Sequence, residues 1–126
     1  MEKVSMSHED YLEAVVALGG TDVQPVRSVD IAAHLEVSKA SVSRALGVLR
    51  EKNLVVPAHY GHVLLTREGY AYGCAVLERH ELLTRFLSKG MGIDEDEAER
   101  EACLIEHAIS DEAYKKWEAF IKALDL

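Results

Sequence analysis

The residues of this chain best suited to chemistry are a cysteine, a glutamate and a histidine near its C-terminus. Cys103, Glu106 and His107 are three and four residues apart in a segment of helical periodicity. Side chains at that spacing project from one face of a helix. Thiolate, carboxylate and imidazole are all ligands of metal ions in proteins. The pattern therefore predicts a metal-binding face on this helix.

Three further residues extend the candidate ligand set to two other predicted helices. Asp10 and Glu13 are three residues apart on the first helix, and His80 lies among apolar neighbours on another. We therefore predict that three helices supply ligands to one divalent ion. The alternative is structural: the acids form solvated faces, Cys103 is a small buried hydrophobic residue, and His80 is a core histidine with satisfied hydrogen bonds.

The composition limits the class of protein. The 126 residues, of which 48% are hydrophobic, are enough for one domain or for two small ones. No apolar run approaches the roughly 20 residues that a bilayer crossing needs, and nothing reads as a signal peptide. We therefore expect a cytoplasmic protein with no membrane partner. Two cysteines are too few for a secreted disulfide framework, and we interpret Cys74 as a core residue.

Charge is distributed unevenly along the chain. The net charge of −8 argues at first against a nucleic-acid partner. Between Arg27 and Arg67, however, six basic residues accompany three acidic ones, while the rest of the chain has eight basic and nineteen acidic residues and a net charge of −11. A basic middle between acidic ends is compatible with a DNA-binding module joined to a carboxylate-rich regulatory part.

The basic middle segment has the element order of a winged helix. The predicted elements are, in order, a helix over 7–18 capped by Ser7, a helix over 29–35 capped by Ser28, a turn at 36–38, a helix from 39 to about 52, and a hairpin of strands 54–56 and 63–65 around a polar tip at 59–62. Two short helices joined by a tight turn form a helix-turn-helix, whose second helix enters the DNA major groove. The hairpin after them predicts the wing.

The start of the third helix carries the residues that we expect to reach base edges. These residues are Ser38, Lys39, Ala40, Ser41 and Arg44. Arg44 can donate two hydrogen bonds to guanine. Lys39, Arg50, His59 and Tyr60 are better placed for contacts to phosphates. The alternative for each is an ordinary solvated residue.

The sequence pattern predicts three helices in the second half of the chain. They are a long helix from 66 to about 89 stopped by Gly90, a helix through 109 opened by a capping box of Asp94 and Glu97, and a helix over 111–124 capped by Ser110. We therefore predict a mainly α protein. A winged helix-turn-helix DNA-binding region, residues 1–70, precedes an all-helical region, residues 71–126.

These segments resemble the diphtheria toxin repressor family of metal-dependent transcriptional repressors over nearly the whole chain. Residues 101–112 are similar to the family's C-x-x-E-H ligand helix and its following Ser-Asp-Glu, residues 41–43 to its recognition-helix core, and residues 79–83 to the segment that supplies a histidine ligand. The resemblance implies a homodimer formed by the helices after residue 66, with each winged helix reading half of a near-palindromic operator in double-stranded DNA. It implies a repressor of metal homeostasis genes, not an enzyme, with no small-molecule substrate.

Within this family the chain mixes features of two branches. Asp10 and Glu13 look like the first-helix carboxylates of the two-domain manganese transport regulators, whereas Cys103 looks like the iron branch. Thr84 and Glu99 depart from the carboxylate and histidine of the iron repressors' ancillary site. Three carboxylates, two imidazoles and a thiolate suit Fe(II) or Mn(II), and the sulfur favours iron slightly.

Two other classes of function remain open from the sequence. A metallohydrolase or thiol enzyme could use a Cys-Glu-His cluster, but no glycine-rich phosphate loop or nucleophile motif accompanies it. A winged-helix regulator gated by a small molecule or a protein partner, in place of a metal, is the stronger alternative. Operator binding that depends on a divalent ion separates these readings.

Overall fold

The computed structural model describes residues 6–126, so residues 1–5 of the predicted DNA-binding region lie outside the described part. The chain divides into two compact units, one ending at Leu77 and the other formed by Glu78–Leu126. Most described residues are helical, which confirms the mainly α prediction. Within residues 6–126, no helix has both the length and the apolar character that a membrane crossing requires.

The first helix, α1, spans Met6–Ala17. Its buried apolar side chains are Tyr11, Leu12, Ala14 and Val15. This is the stripe that the periodicity predicts. The predicted cap is wrong, because the helix begins before Ser7 and includes it. After the helix, Gly19 adopts a φ of 92°, a left-handed conformation that glycine tolerates best.

Two short helices form the helix-turn-helix. Helix α2 spans Ser28–Leu35 and helix α3 spans Lys39–Glu51. Glu36 turns the chain between them with a φ of 56°. The hydroxyl of Ser38 accepts a hydrogen bond from the Ser41 amide at 3.0 Å, and this contact caps α3.

The predicted cap of α2 is wrong. The N-cap position belongs to Arg27, whose side chain makes no capping hydrogen bond within the described chain. Ser28 instead donates its hydroxyl hydrogen to the carbonyl oxygen of Gly61, at 2.7 Å. Arg27 pairs with Asp30 in the first turn of α2, and this hydrogen-bonded pair holds the pKa of the Asp30 carboxyl below its usual value.

The strands of the first unit form a small antiparallel sheet in the order β1-β3-β2. These strands are β1 at Val26–Arg27, β2 at Val55–Pro57 and β3 at His62–Leu65. The predicted hairpin of β2 and β3 is confirmed, with Val56 opposite Leu64. Strand β1 was not predicted, because a strand of two residues shows no periodicity. We call the segment 55–65 the wing.

The core of the first unit joins these helices to the sheet. Its most deeply buried side chains are Leu12, Val15, Ile31, Val42, Leu49, Leu54, Val55 and Leu65. Full burial of each large apolar side chain contributes about 1.5–3 kcal/mol. Since Val42 and Leu49 hold the inner face of α3 in this core, the opposite face of α3 points outward.

The second half of the chain contains three helices. Helix α4 spans Arg67–Arg85, α5 spans Glu95–Ala108 and α6 spans Asp111–Ala123. Helix α4 does not continue regularly to residue 89, because Phe86–Gly90 forms a wider π-helical turn. The left-handed glycine of this connection is Gly92, with a φ of 73°, and not the predicted Gly90.

The two predicted caps of this half have different outcomes. Ser110 caps α6 by accepting a hydrogen bond from the Ala113 amide at 3.1 Å, as predicted. Asp94 occupies the N-cap position of α5, but its side chain makes no capping hydrogen bond within the described chain. The predicted capping box is therefore wrong. The acidic side chains in the first turn of α5, residues 95–97, still interact favourably with the helix dipole.

A separate core holds the second unit together. It consists of Leu82, Leu83, Leu87, Ala98, Ala102, Tyr114 and Ile121. Arg79 of α4 donates a hydrogen bond to Asp111, and its guanidinium lies 4.5 Å from the ring centroid of Tyr114 on α6. Burial raises the pKa of Tyr114 to about 12.

Substitutions at two helical glycines test the packing of the first unit. A Cβ at Gly69 of α4 would lie 1.9 Å from the carbonyl oxygen of Leu54, whereas a Cβ at Gly47 of α3 would meet no atom of the described neighbours within 4 Å. We expect Gly69→Ala to lower the free energy of unfolding by about 1–3 kcal/mol, because backbone must move. We expect Gly47→Ala to raise it by about 0.5–1 kcal/mol, because alanine is the better helix former. Denaturant unfolding measures both changes, and equal stability of the two variants would contradict the described approach of α4 to Leu54.

Candidate metal centre and DNA-binding surface

Helix α5 presents three candidate ligands on one face, as their spacing predicts. Cys103, Glu106 and His107 each offer one ligand atom, and these atoms lie within 4.8 Å of one another. We call these three residues the ligand cluster. Ala98 and Ala102 of the same helix are buried in the second core. That packing fixes the rotation of α5, and with it the direction in which the ligand cluster points.

Glu106 is the most deeply buried member of the ligand cluster. Its side chain is 1% exposed. Neither carboxylate oxygen has a hydrogen-bond partner among the described residues. The nearest basic atoms are Nδ1 of His80 at 3.4 Å and Nε2 of His107 at 3.3 Å. A buried carboxylate without donors is strongly disfavoured, and a divalent cation is the partner that such a group fits.

His80 lies beside the ligand cluster, and its environment is not that of a core histidine. Its Nδ1 faces Glu106, and its Nε2 lies 3.7 Å from Oε1 of Glu99. The imidazole is 16% exposed. A histidine between two carboxylates on one side of a helix pair has the surroundings of a ligand and not those of an apolar packing residue.

The positions of the ancillary site differ in chemistry from those of the ligand cluster. His80, Thr84 and Glu99 line a cleft of about 260 Å³ in the second unit. Glu99 is exposed, and Thr84 supplies a hydroxyl where the resemblance leads one to expect a carboxylate. Of the two positions that the resemblance assigns to this site beside His80, only Glu99 offers a carboxylate, and that carboxylate is solvated.

The two remaining candidate ligands are on α1, in the first unit. Asp10 and Glu13 are both half-buried. The sequence analysis missed their neighbour Glu9, which is only 5% exposed and accepts a hydrogen bond from the phenol of Tyr72. An acid in the first turn of a helix resembles an ordinary dipole-favoured residue, and its burial depends on Tyr72, 63 residues away.

The outer face of α3 has the composition of a DNA-reading surface. Lys39, Ala40, Arg44 and Arg50 are exposed on it. Ser41 connects this face to the cap, because its hydroxyl accepts hydrogen bonds from Ser38 and from Arg44 Nη2, at 3.0 and 3.3 Å. No acidic side chain of the described chain pairs with Arg44, so its guanidinium is available to a ligand.

The tip of the wing holds an exposed aromatic side chain. Tyr60 is 96% exposed and has a φ of 61°, a left-handed conformation that is costly for a non-glycine residue. His59 beside it is also exposed, with ring centroids 6.1 Å apart. The hydrogen bond from Ser28 to Gly61 ties this tip to the start of α2. The wing therefore presents Tyr60 at a defined place next to the helix-turn-helix.

A cleft of about 300 Å³ separates α3 from the wing. Lys39 and Arg50 line it, together with three polar residues that the sequence analysis did not include among the DNA-contacting residues: Ser28, Ser43 and His62. Ser43 follows Lys39 by four residues on α3, so helical spacing could have identified it. Ser28 and His62 come from separate elements, and only the tertiary fold brings them to the cleft.

Two protein-family models match the chain. The N-terminal DNA-binding domain of the iron dependent repressors matches residues 3–63, and the metal binding and dimerisation domain of the same proteins matches residues 66–125. Together these matches include almost every residue discussed above.

Individual relatives agree with these models. The chain is 29% identical over 119 residues to an uncharacterised HTH-type transcriptional regulator of Methanocaldococcus jannaschii, covering 94% of this chain and 95% of that protein. It is 33% identical over 108 residues to the diphtheria toxin repressor of Corynebacterium diphtheriae, covering 86% of this chain. The chain spans only 47% of the length of that repressor.

Solved structures of manganese regulators have the same fold. A manganese-dependent transcriptional repressor in complex with manganese is 30% identical, with a TM-score of 0.77 over 91% of this chain and 52% of that one. The manganese regulator SloR is 27% identical, with a TM-score of 0.78 over 91% of this chain and 53% of that one.

These matches confirm the predicted resemblance, the winged helix-turn-helix followed by a helical region, and a divalent metal as the cofactor of the family. The diphtheria toxin repressor of Corynebacterium diphtheriae and an iron-dependent repressor of Mycobacterium leprae are repressors by name. This chain belongs to the iron-dependent repressor family, in which a DNA-binding domain precedes a metal-binding and dimerisation domain.

Proposed function

We propose that the protein is a transcriptional repressor that binds Fe(II) or Mn(II) and then, as a homodimer, binds a near-palindromic operator to control metal homeostasis genes. The observation that carries this proposal is the buried Glu106 carboxylate, which has no hydrogen-bond donor in the described chain and lies beside two imidazoles and a thiol. The experiment that tests it is a gel shift on operators selected from a random DNA library, with and without the divalent ion and with a chelator.

The proposed ligand set joins both regions of the chain. It consists of Asp10, Glu13, His80, Cys103, Glu106 and His107. The close approach of the ligand atoms on α5 and the position of His80 support the part that lies in the second unit. The paired carboxylates of α1 support the rest, through their spacing and through the family resemblance.

Metal and DNA binding are linked in this proposal because the ligands come from both proposed domains, residues 1–70 and 71–126. When bound, a divalent ion offsets the charge of the carboxylates and favours the arrangement in which they meet. If that arrangement also suits the operator, operator binding must raise metal affinity by the same factor.

The donor atoms set the choice of metal. Carboxylates and imidazoles accept Mn(II) and Fe(II) alike, and the softer thiolate of Cys103 favours Fe(II). Zinc and cobalt should bind at least as tightly in vitro, because affinity rises along the first-row series. Selectivity in the cell therefore depends on metal availability as well as on affinity.

On this proposal, the outer face of α3 contacts bases and phosphates, and the wing contacts phosphates. Ser38, Lys39, Ala40, Ser41 and Arg44 form the base-reading end of the helix. The side chains proposed for phosphate contacts are Lys39, Arg50, His59 and Tyr60. The polar cleft between α3 and the wing supports this division, since Lys39 and Arg50 line it.

The second unit leaves large apolar side chains exposed. Met91 is 61% exposed, Phe120 58% and Leu104 56%. Exposed apolar residues of this size in one small unit favour burial against another protein surface. They support the proposal that residues 71–126 form the homodimer.

A substitution at Glu106 distinguishes a ligand from a structural residue. We expect Glu106→Gln to weaken Mn(II) binding by more than the roughly 10- to 100-fold that loss of a residue supporting a ligand costs. The same change should not destabilise the metal-free protein, because it removes a buried charge that has no donor. Calorimetry and unfolding measure the two effects, with Glu101→Gln as the control, an exposed acid on the same helix. Unchanged Mn(II) affinity in Glu106→Gln would refute the assigned site.

Cys103 decides the preference for iron. If its thiolate is a ligand, the Co(II)-loaded protein should show a near-ultraviolet sulfur-to-metal charge-transfer band that Cys103→Ser lacks. Cys103→Glu should then reduce activation by Fe(II) relative to Mn(II), because the new donor is harder. A wild-type protein without the band, together with normal activation of Cys103→Ser, would make Cys103 a packing residue and remove the preference for iron.

Two basic residues of α3 test the division between base and phosphate contacts. We expect Arg44→Ala to lower operator affinity by roughly 1–3 kcal/mol and to relax selection at one position per half-site. Lys39→Ala should weaken binding to all sequences alike. Selection from a randomised operator library measures both effects. An equal loss on all sequences in Arg44→Ala would show that Arg44 contacts phosphate.

A further inference from the structure

One buried carboxylate, that of Glu9, has no role in the proposed function. Among the described residues, the buried carboxylates are Glu106 and Glu9, and Glu9 is 5% exposed. It directly precedes the proposed ligand Asp10 on α1. Burying a carboxylate is unfavourable unless donors satisfy it, so a residue of this kind needs a partner within the fold.

Tyr72 of α4 supplies a hydrogen bond to this carboxylate. Its phenol donates to Oε2 of Glu9 across 63 residues of sequence. Tyr72 is half-buried and packs against the first core. The contact therefore joins α1 to α4 by a specific, directional bond within the first unit.

The residue after Tyr72 shows how closely the two helices approach. A Cβ at Gly73 would lie 2.7 Å from Cγ2 of Val16 and 3.0 Å from the carbonyl oxygen of Leu12. Glycine at this position lets the backbones of α1 and α4 come together. Leu12 and Val15 hold α1 in the first core, and the hydrogen bond from Tyr72 adds a directional contact that limits the remaining rotation of the helix.

The rotation of α1 determines where its proposed ligands point. Successive residues of an α-helix are about 100° apart, so Glu13 lies only about 40° around the helix from Glu9, and Asp10 about 100°. A bond that holds Glu9 at a fixed position therefore also sets the directions of Asp10 and Glu13. Asp10 and Glu13 are the two acids of this helix that the proposed function takes as ligands.

We infer that Glu9, held by Tyr72, is a positioning residue for the metal site: the pair sets the rotation of α1 and so the geometry in which Asp10 and Glu13 are offered to a divalent ion. The inference rests on the proposed function, because it takes these two acids as ligands. It assigns Glu9 no bond to the metal.

The test removes only the phenol hydroxyl. We expect Tyr72→Phe to weaken Mn(II) binding about tenfold, and the matched control Tyr70→Phe, an exposed tyrosine on the same helix, to stay within about twofold of wild type. The Co(II) absorption bands should shift in Tyr72→Phe and not in the control, since the bands report ligand geometry. Calorimetry on the full chain and absorption spectroscopy provide the two readouts.

A conservative variant separates positioning from ligation. In Glu9→Gln the amide oxygen still accepts the phenol hydrogen, so metal affinity and the Co(II) spectrum should remain close to those of the wild type. Loss of metal binding in Glu9→Gln would show that Glu9 is itself a ligand and overturn the inference. Wild-type affinity and spectrum in Tyr72→Phe, with lower stability, would overturn it by showing a purely structural contact. A wild-type protein that binds no divalent metal would refute the proposed function as well, whereas either variant result refutes this inference alone.

Discussion

The buried carboxylate of Glu106 is the constraint on which the rest of the second unit depends. A carboxylate out of water without donors opposes folding, and two nearby imidazoles at 3.3 and 3.4 Å do not satisfy it by hydrogen bonds. The core of the second unit offsets this cost, because α5 buries Ala98 and Ala102 on its other side. The same helix thus provides the apolar packing that holds it and the polar group that a cation would relieve. In such an arrangement the binding of metal is also a gain in folding free energy.

The DNA-binding surface follows the same division between two faces of a helix. Val42 and Leu49 anchor α3 in the first core, and this leaves Arg44 on the exposed side without an acidic partner in the described chain. The backbone is strained at the edge of this surface, where Tyr60 has a left-handed conformation and an exposed ring. In the second unit the fold buries a carboxylate without donors, at Glu106, and in the first unit it holds a non-glycine residue, Tyr60, in a left-handed conformation. Both features lie at the proposed functional sites.

The proposed ligand set combines features that the family resemblance assigns to two separate branches. The resemblance relates Asp10 and Glu13 of α1 to the manganese regulators and Cys103 to the iron repressors. The structural neighbours include manganese-dependent repressors, while the matching family models carry the name of iron. Carboxylates and imidazoles accept either metal, so in the proposed set the thiolate is the donor that distinguishes Fe(II) from Mn(II). On this proposal, metal selectivity depends on the thiolate of Cys103 more than on the number of ligands.

Local patterns in the sequence determined most of the helices, the serine cap at Ser110, and the ligand spacing on α5. Each of these depends on residues three or four positions apart, which a helix brings together whatever packs against it. The tertiary structure decided the remainder. It diverted the hydroxyl of Ser28 from its own helix to Gly61, added strand β1 to the wing, left Asp94 without its predicted capping bond and buried Glu9 beside Tyr72. Two of these differences depend on distant partners: Ser28 and Gly61 are 33 residues apart, and Glu9 and Tyr72 are 63 residues apart. No local pattern records such partners, because the energy of a polar side chain depends on which donors and how much water surround it after folding.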